Sequence, residues 1–413
     1  MIRIGRITAS LMLITVGAVL LVDRFSEMQY AALLPRLWPA VLIVLGLEFI
    51  VISLVYRNAG RKLRVNVGSL LLAGVISAGV TAYSLSPSVS WSGIADFFIS
   101  MSTSSSMERG NHIDRGLTRI PLTPQIQKVK LNNPNGKVTL LRGNVEGIEI
   151  HTDMWIDQVN KQEAEKIAEG SNIVYGTTGD LLEITAQGQK YSIGSKRKPR
   201  MNLTVTVPDT ALDWSFEMTN GTLTVSGVPV REQLRANHMN GTIFVTDIAA
   251  AVELETTNGS IHIKNIQGDA ELKSTNGNVT VSQVKGNVEA HSTNGKLEAD
   301  AVTGKAELKT TNGKITVNGV TGELAAHTTN GSITAASSVI GGDWQLKTTN
   351  GGVEASLPEN GNFEVDGSTG AGSIATDLPL QLSKRSIGGT IGSGQYKVEI
   401  RTNHSAIRIT EYK

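Results

Sequence analysis

Cysteine is absent from all 413 residues of the chain. This excludes disulfides, thiol catalysis and cysteine-ligated zinc. Aromatic residues make up only 5% of the sequence, and the formal net charge is +1. Because a nearly neutral chain has no bulk attraction for polyanions, we expect no nucleic-acid partner.

Catalytic and metal-binding motifs are also missing. The sequence contains no G-x-S-x-G, H-E-x-x-H, Walker or calcium-binding G-G-x-G-x-D pattern. Its seven histidines are scattered. His238 falls at an inward position of a predicted strand, so we expect a hydrogen-bonded core residue rather than a ligand. We predict no catalytic residue, metal site or cofactor, and no enzymatic activity.

The first 86 residues form a separate apolar region with predicted membrane helices at 7–22, 37–56 and 65–85. About twenty residues suffice to cross the hydrocarbon core. A cleaved signal peptide is the rival interpretation of the first helix. Basic residues precede the first helix and separate the second from the third, which places both segments in the cytoplasm. The prediction is a multi-pass protein of the cell membrane with a cytoplasmic N-terminus and an extracytoplasmic C-terminal domain.

Glu48 lies inside the second predicted helix, where a charge is costly. It predicts either a contact with another membrane protein or a neutral carboxyl bonded within its own three-helix bundle. Residues 87–115 are rich in serine and are predicted to be a linker.

The Asn-Gly pair recurs along the C-terminal half of the chain at a nearly constant spacing of eighteen, lengthened to twenty at the first and last intervals. Such regularity indicates a repeat architecture. Apolar and polar residues alternate on both sides of each pair, which is typical of half-buried strands. The repeated asparagines are Asn220, Asn240, Asn258, Asn276, Asn294, Asn312, Asn330 and Asn350.

Two architectures fit this pattern. Asn-Gly is a common hairpin turn, which would give a meander or propeller. A parallel β-solenoid fits better, because an open meander would expose one long apolar face. We predict an all-β, right-handed parallel β-solenoid with 18-residue coils over residues 116–413, regular over 211–357, with a helical insertion near 158–170.

The solenoid prediction explains the asparagines as a structural ladder. By strand parity they point inward, at a bend with left-handed backbone conformation that asparagine tolerates. A second turn in each unit contains Gly268, Gly286, Gly304 or Gly322, which we expect to use the freedom of glycine at positive φ. Trp214, at the start of the regular coils, is expected to cap the core.

Charged residues form columns in the same alignment. Lysine and histidine alternate at Lys273, His291, Lys309, His327 and Lys347, beside a column of glutamates. The one dense basic cluster is Lys196, Arg197, Lys198 and Arg200. It predicts either a site for polyanions, such as lipid headgroups and teichoic acids, or a solvated loop.

The segments 135–141 and 205–225, with the serial T-T-N-G-x-[IV] pattern, resemble the putative-adhesin β-strand-repeat family, a domain family of unknown function. The resemblance implies the solenoid fold and brings no catalytic residues. Residues 37–49, "LWPAVLIVLGLEF", resemble the LiaI/LiaF-like membrane region of Gram-positive envelope-stress proteins. Together they imply a protein of a Gram-positive cell envelope connected with the stress response.

The predicted function is therefore a membrane-anchored, non-enzymatic extracytoplasmic β-solenoid for binding or scaffolding at the cell envelope, modulating envelope-stress signalling. The partners expected are membrane lipid, a membrane protein such as a stress sensor, and wall polymer. Two alternatives stay open: a polysaccharide-active β-helix enzyme with an unrecognised site, and a purely structural surface module.

Overall fold

The computed structural model describes residues 2–4, 63–65, 110–191 and 197–412. The chain divides into two units, Met1–Ser106 and Met107–Lys413. In the first unit, β1 (Ile2–Ile4) pairs in parallel with β2 (Leu63–Val65). Glu48 and the predicted membrane helices lie outside the described residues, apart from Val65 in β2. Within the described ranges no helix is both long and apolar enough to cross a bilayer.

The second unit is an all-β solenoid that starts earlier than expected. Its first strand begins at Asn111, inside the segment predicted to be a linker. The described elements before the regular coils are β3 (Asn111–Ile120), β4 (Lys128–Asn135), β5 (Val138–Arg142), β6 (Ile148–Ile156), α1 (Lys161–Glu169), β7 (Asn172–Thr178), β8 (Leu181–Gln187) and β9 (Arg200–Val207).

Helix α1 lies inside the segment predicted to be a helical insertion near 158–170. The Asn160 side chain caps its first turn by accepting from the backbone N–H of Glu163, and Gly170 ends it. Its buried residues are Ala164, Ile167 and Ala168, and the helix packs against β3 and β6. The helix therefore helps cover the N-terminal end of the solenoid.

Fourteen strands form the regular coils, each pairing in parallel with its equivalent in the next coil. They are β10 (Leu212–Ser226), β11 (Val230–Ile248), β12 (Ala251–Asn258), β13 (Ile261–Ile266), β14 (Ala270–Asn276), β15 (Val279–Val284), β16 (Val288–Ser292), β17 (Leu297–Val302), β18 (Ala306–Thr310), β19 (Ile315–Asn318), β20 (Leu324–Thr328), β21 (Ile333–Ala336), β22 (Trp344–Thr348) and β23 (Val353–Leu357).

The pairing register equals the sequence period. Ala270 lies beside Val288 and Leu272 beside Ala290, and the two members of each pair are one repeat apart in the chain. The register lengthens between β20 and β22, where Leu324 lies beside Trp344, because the repeat is longer there too. The parallel solenoid and its 18-residue coils are thus confirmed, and the hairpin meander is excluded for these strands. The right-handed winding stays a prediction.

Large and small residues exchange places between neighbouring coils. Ala270 and Leu272 stack on Val288 and Ala290, and these stack on Ala306 and Leu308. All six side chains are buried. Because a small residue in one coil often faces a larger one in the next, side chains of different size fill the core together. This exchange is visible only when the coils are aligned in register.

The last strands are β24 (Phe363–Thr369), β25 (Ile374–Thr376), β26 (Gln381–Leu382), β27 (Ser386–Ile391), β28 (Tyr396–Thr402) and β29 (Ile407–Glu411). Their order in space differs from their order in the chain. β28 lies between β22 and β24, and β29 lies between β23 and β25. The chain thus inserts its final coil between two earlier ones.

The N-terminal end has a similar inversion. The coil of β4 and β5 packs directly on β10, and the later coil of β8 and β9 packs outside it. Antiparallel strands close both ends of the solenoid: β3, β6 and β7 at one, β26 and β27 at the other. Trp214 in β10 is consequently interior rather than a cap, and its ring stacks on Phe216.

Three expectations about the bends are wrong. The ladder asparagines do not point inward: Asn258, Asn276 and Asn294 are exposed. The left-handed residues lie at the other bend, in the column of Asp247, Asn265, Gln283 and Ala301, with φ between 54° and 57°. Among the described residues, positive φ is not found at Gly268, Gly286, Gly304 or Gly322. These glycines are needed because successive backbones approach closely: a Cβ on Gly286 would lie 2.4 Å from the Gly268 carbonyl oxygen.

Candidate functional site

The asparagine ladder runs along the outside of the Asn-Gly bend. Each side-chain amide Nδ2 donates to the Oδ1 of the preceding asparagine, over distances of 2.8 to 3.1 Å from Asn220 to Asn350. The side chain that points inward at the bend is the threonine or serine two residues before each asparagine. Ser292 and Thr310, both buried, donate to the carbonyl oxygens of Gly277 and Gly295. The ladder therefore acts as a surface brace between coils.

A groove of about 770 Å³ follows the column of bases Lys273, His291, Lys309, His327 and Lys347. Arg401 extends this column, because β28 stacks on β22. Threonine and serine side chains from the same strands form its other wall. The groove spans several coils and is one of the two cavities that we consider for ligand binding.

The charges in this groove are largely paired. Lys273 and Lys309 contact Glu271 and Glu307, and the ring of His291 lies 2.8 Å from Glu289. Hydrogen bonding to Glu271 raises the pKa of Lys273, and hydrogen bonding to Lys309 lowers the pKa of Glu307. The groove therefore lacks the unbalanced positive charge that attracts a polyanion.

His327 differs from Lys273, His291 and Lys309 because its coil has Ala325 at the position where Glu307 precedes Lys309. Lys347 likewise follows Gln345 rather than a glutamate. Burial lowers the pKa of His327, and the nearby charges of Lys347 and Lys309 lower it further. His327 and His291 flank the coil of Lys309, so about 10 Å separates their strands at the usual strand spacing. They are too far apart to share a metal ion.

A second cavity, of about 500 Å³, contains the predicted polyanion-binding residues that the structure describes. Arg197, Lys198 and Arg200 line it, together with Trp155 and Tyr191. Lys196 lies outside the described residues. We call this cavity the basic cavity. It lies where the ladder begins, since Asn135 and Asn220 also line it.

One carboxylate, that of Asp157, organises this cavity. Tyr191 donates its hydroxyl to Asp157 over 2.7 Å, and Arg197 lies 3.3 Å from the same carboxylate. Burial and the bond to Asp157 raise the pKa of Tyr191 to about 12. Arg200 is the strand partner of Trp155 across β6 and β9. The cavity thus combines three cations and two aromatic rings with one acid.

The structure also brings together four residues that our sequence analysis did not single out. His112 and Asp114 lie on β3, and His151 and Asp153 on the antiparallel strand β6. His112 Nε2 lies 2.8 Å from Asp153 Oδ1, and His151 Nε2 lies 3.2 Å from Asp114 Oδ1. We call these four residues the His–Asp cluster. A signal was present, since both strands contain the pattern His-x-Asp, which puts both side chains on one face.

His238 is a core residue, as expected, but the prediction that it is hydrogen-bonded is wrong. Its side chain is 1% exposed, and neither ring nitrogen has a hydrogen-bond partner. Burial lowers its pKa to about 4. The ring is therefore neutral at pH 7.

Fold and surface define a parallel β-solenoid with a braced bend and a basic cavity at one end. The chain belongs to the Toastrack DUF4097 family, whose model matches residues 126–410. That family name specifies no substrate, ligand or reaction. This match confirms the resemblance of the solenoid to an adhesin-like family of unknown function. No curated protein matches the sequence.

The solved structures that are similar to this chain include the following three. A "putative cell adhesion protein" from Clostridium sporogenes is 13% identical, with a TM-score of 0.19, over 73% of this chain and 100% of that one. A "putative adhesin" from Bacteroides fragilis is 14% identical, with a TM-score of 0.31, over 71% and 97%. A "putative adhesin" from Parabacteroides distasonis is 9% identical, with a TM-score of 0.27, over 72% and 97%.

Proposed function

We propose that this chain is a non-enzymatic binding module whose basic cavity holds anionic groups of a cell-envelope polymer. The observation that carries the proposal is the convergence of Arg197, Lys198 and Arg200 on a cavity with a single carboxylate in its wall. Two of these are arginines, whose planar guanidinium groups match phosphate and carboxylate geometry.

The size and lining of the basic cavity suit a repeating unit of such a polymer. Its volume of about 500 Å³ suits one small ligand rather than a protein surface. The rings of Trp155 and Tyr191 offer apolar faces beside the cations. A phosphodiester with an attached sugar or glycerol would present both an anion and a carbon skeleton. Teichoic acids and lipid headgroups share this chemistry.

The membrane-anchored arrangement is part of the proposal and is supported by the sequence alone. The three apolar segments in residues 1–86 would hold the chain in the membrane of a Gram-positive cell, with the N-terminus in the cytoplasm and the solenoid outside. The LiaI/LiaF-like segment supports a role in envelope-stress signalling. In that role Glu48 would contact a sensor protein in the membrane.

The binding proposal is tested by replacing Lys196, Arg197, Lys198 and Arg200 with serine in the full chain. We expect at least a tenfold loss of affinity for isolated teichoic acid or for anionic vesicles at low salt. A matched control replaces four exposed lysines elsewhere, Lys264, Lys285, Lys314 and Lys384. If both variants lost the same affinity, the loss would follow from net charge alone, and the cavity proposal would be overturned.

The two arms of this experiment separate the sources of the anion. Loss of teichoic-acid binding alone indicates a wall polymer, and loss of vesicle binding alone indicates lipid. Glycan cleavage by the purified chain would instead favour the polysaccharide-active enzyme. A chain that binds neither anion source would favour the purely structural module.

Orientation is tested on intact protoplasts. An added protease should cleave the chain beyond residue 110, because the proposal places the solenoid outside the membrane. Complete protection of that region would contradict both the orientation and a role at the cell surface.

A further inference from the structure

The His–Asp cluster contains two carboxylates opposite each other on neighbouring strands. Asp114 of β3 is the register partner of Asp153 of β6. Like charges placed directly across a strand pair destabilise the pairing. A positive charge between the two carboxylates would relieve this repulsion. The side chains next to them are the imidazoles of His112 and His151.

The donor atoms are already close to the spacing of metal ligands. One ligand atom each from Asp114, His151 and Asp153 lie within 4.8 Å of one another. Around a zinc ion with bonds of about 2.0–2.2 Å, ligand atoms are roughly 3.3–3.6 Å apart. His151 Nε2 lies 3.2 Å from Asp114 Oδ1, and the other ring nitrogen, Nδ1, lies 3.4 Å from Asp153 Oδ2. Each distance agrees with that spacing, and one of the two nitrogens would bind the ion.

The backbone around Asp114 supports this arrangement. The pairing of β3 with β6 shifts register between Asp114 and Leu117. Gly116 occupies this bulge at a φ of 70°, and its N–H donates to Asp114 Oδ1 over 2.7 Å. This bond holds the carboxylate beside His151. The four side chains are between 36% and 58% exposed, so an ion can enter from solvent.

We propose that the His–Asp cluster binds one divalent transition-metal ion of the zinc type. Asp114, His151 and Asp153 are the ligands, and His112 lies next to them, with its Nε2 2.8 Å from Asp153 Oδ1. Two carboxylates balance the double positive charge of the ion. The imidazoles select a transition metal over Ca²⁺ or Mg²⁺, which prefer all-oxygen ligands.

The bound ion would link β3 to β6 at the end of the solenoid. Among the described strands, a pairing register with β3 is found for β6 only, so β3 is an edge strand. An ion held by both strands would tie this edge to the rest of the fold. This inference does not depend on anion binding at the basic cavity.

The test measures Zn²⁺ binding to the full chain, purified without a histidine tag, by titration calorimetry and thermal unfolding. We expect one ion per chain and a rise in the unfolding temperature, and neither effect with Ca²⁺. Asp114→Asn and His151→Gln should weaken Zn²⁺ binding on the order of 10- to 100-fold or more. The matched control is Glu149→Gln, which alters a carboxylate on the same face of β6, two residues from His151.

A measurement on the unaltered chain covers the case in which the variants do not fold. Zn²⁺ should protect His112 and His151 from modification by diethylpyrocarbonate, while the exposed His404 stays reactive. Absence of binding at millimolar Zn²⁺ would overturn the proposal. So would equal protection of all three histidines, or equal binding by the Asp114→Asn and Glu149→Gln variants.

Discussion

At the residue scale, the two members of each Asn-Gly pair have different tasks. The asparagine stays at the surface and bonds to its equivalents in neighbouring coils. The glycine is required by close approach of successive backbones: a Cβ on Gly295 would lie 1.8 Å from the Gly277 carbonyl oxygen. The recurrence of the pair along this sequence thus reflects a steric constraint and a hydrogen-bond ladder together.

We predict that Gly295→Ala destabilises the solenoid more than Asn294→Ala. The added methyl group forces two backbones apart, which should lower the free energy of unfolding by more than about 3 kcal/mol. Asn294→Ala removes the two exposed hydrogen bonds that the side-chain amide makes with Asn276 and Asn312. It should lower the free energy of unfolding by about 1–2 kcal/mol. Chemical denaturation measures both values. The control is Thr293→Ala, at an exposed site in the same coil, and a larger loss for Asn294→Ala than for Gly295→Ala would contradict this account.

His238 makes the stability of the solenoid depend on pH. The pKa of its ring is 6.5 in an exposed histidine and about 4 in the fold. Between these values the unfolded chain binds a proton that the folded chain does not. The free energy of unfolding should therefore fall as the pH drops from about 6.5 to about 4, by up to roughly 3 kcal/mol.

The variant His238→Met tests this dependence. Methionine already occupies the equivalent position of the preceding coil, at Met218, so it fits the column. We expect the variant to lose the His238 contribution to the pH dependence and to be more stable than the wild type at pH 5. Denaturation curves at several pH values measure this difference. His404→Gln, at an exposed site, serves as the control. If the free energy of unfolding of His238→Met changed with pH as steeply as that of the wild type, His238 would not be the source of this pH dependence.

At the element scale, strands of equivalent coils carry columns whose members influence each other. Glu253, Glu271, Glu289 and Glu307 stack in one column beside the bases of the next. Ala325 interrupts the acidic column, so His327 lacks the glutamate that precedes Lys273, His291 and Lys309 by two residues. The low pKa of His327 is thus a property of the stack as well as of burial.

We predict that Ala325→Glu raises the pKa of His327. The new carboxylate would occupy the position that Glu289 has beside His291, where the two side chains lie 2.8 Å apart. A nearby negative charge favours the protonated ring. The measurement is the NMR titration of the His327 ring. Ala325→Gln is the uncharged control, and an equal rise in both variants would show that charge is not the cause.

At the scale of the whole molecule, the coil is the unit that can be removed. Neighbouring coils pair one sequence period apart, so deletion of one full period restores every register. Each coil contacts its neighbours mainly, and stability in such arrays is close to a sum of coil and interface contributions. The two ends, where chain order and spatial order differ, are not interchangeable in this way.

We predict that deleting residues 291–308, one full period, leaves a folded solenoid. The cut joins Ala290 to Lys309 and keeps Lys309 outside. Deleting 291–307, one residue less than a period, joins Ala290 to Leu308. This shift by one residue turns the side chain of Lys309 into the core. Thermal unfolding followed by the fluorescence of buried Trp214 and Trp344 should be cooperative for the first variant only. Similar unfolding of both deletions would contradict the register argument.

The sequence by itself determined the period, the inward and outward faces and the insertion helix, because these depend on neighbours along the chain. Alternation along each strand and the even spacing of pairs such as Asn258 and Asn276 were enough to predict stacked parallel strands. The sequence also contained the basic cluster, since Arg197, Lys198 and Arg200 are close along the chain, but not the cavity that Trp155, Asp157 and Tyr191 form with them.

Only the tertiary structure decided which coils are neighbours at the two ends, because those pairings join strands far apart in the chain. β28 lies between β22 and β24, and no pattern of neighbouring residues in the sequence predicts this order. It also decided that the asparagines lie outside the bend and that Asp114 meets Asp153. The antiparallel pairing of β3 with β6 brings two His-x-Asp patterns onto one face, and such an encounter depends on the register of two distant strands.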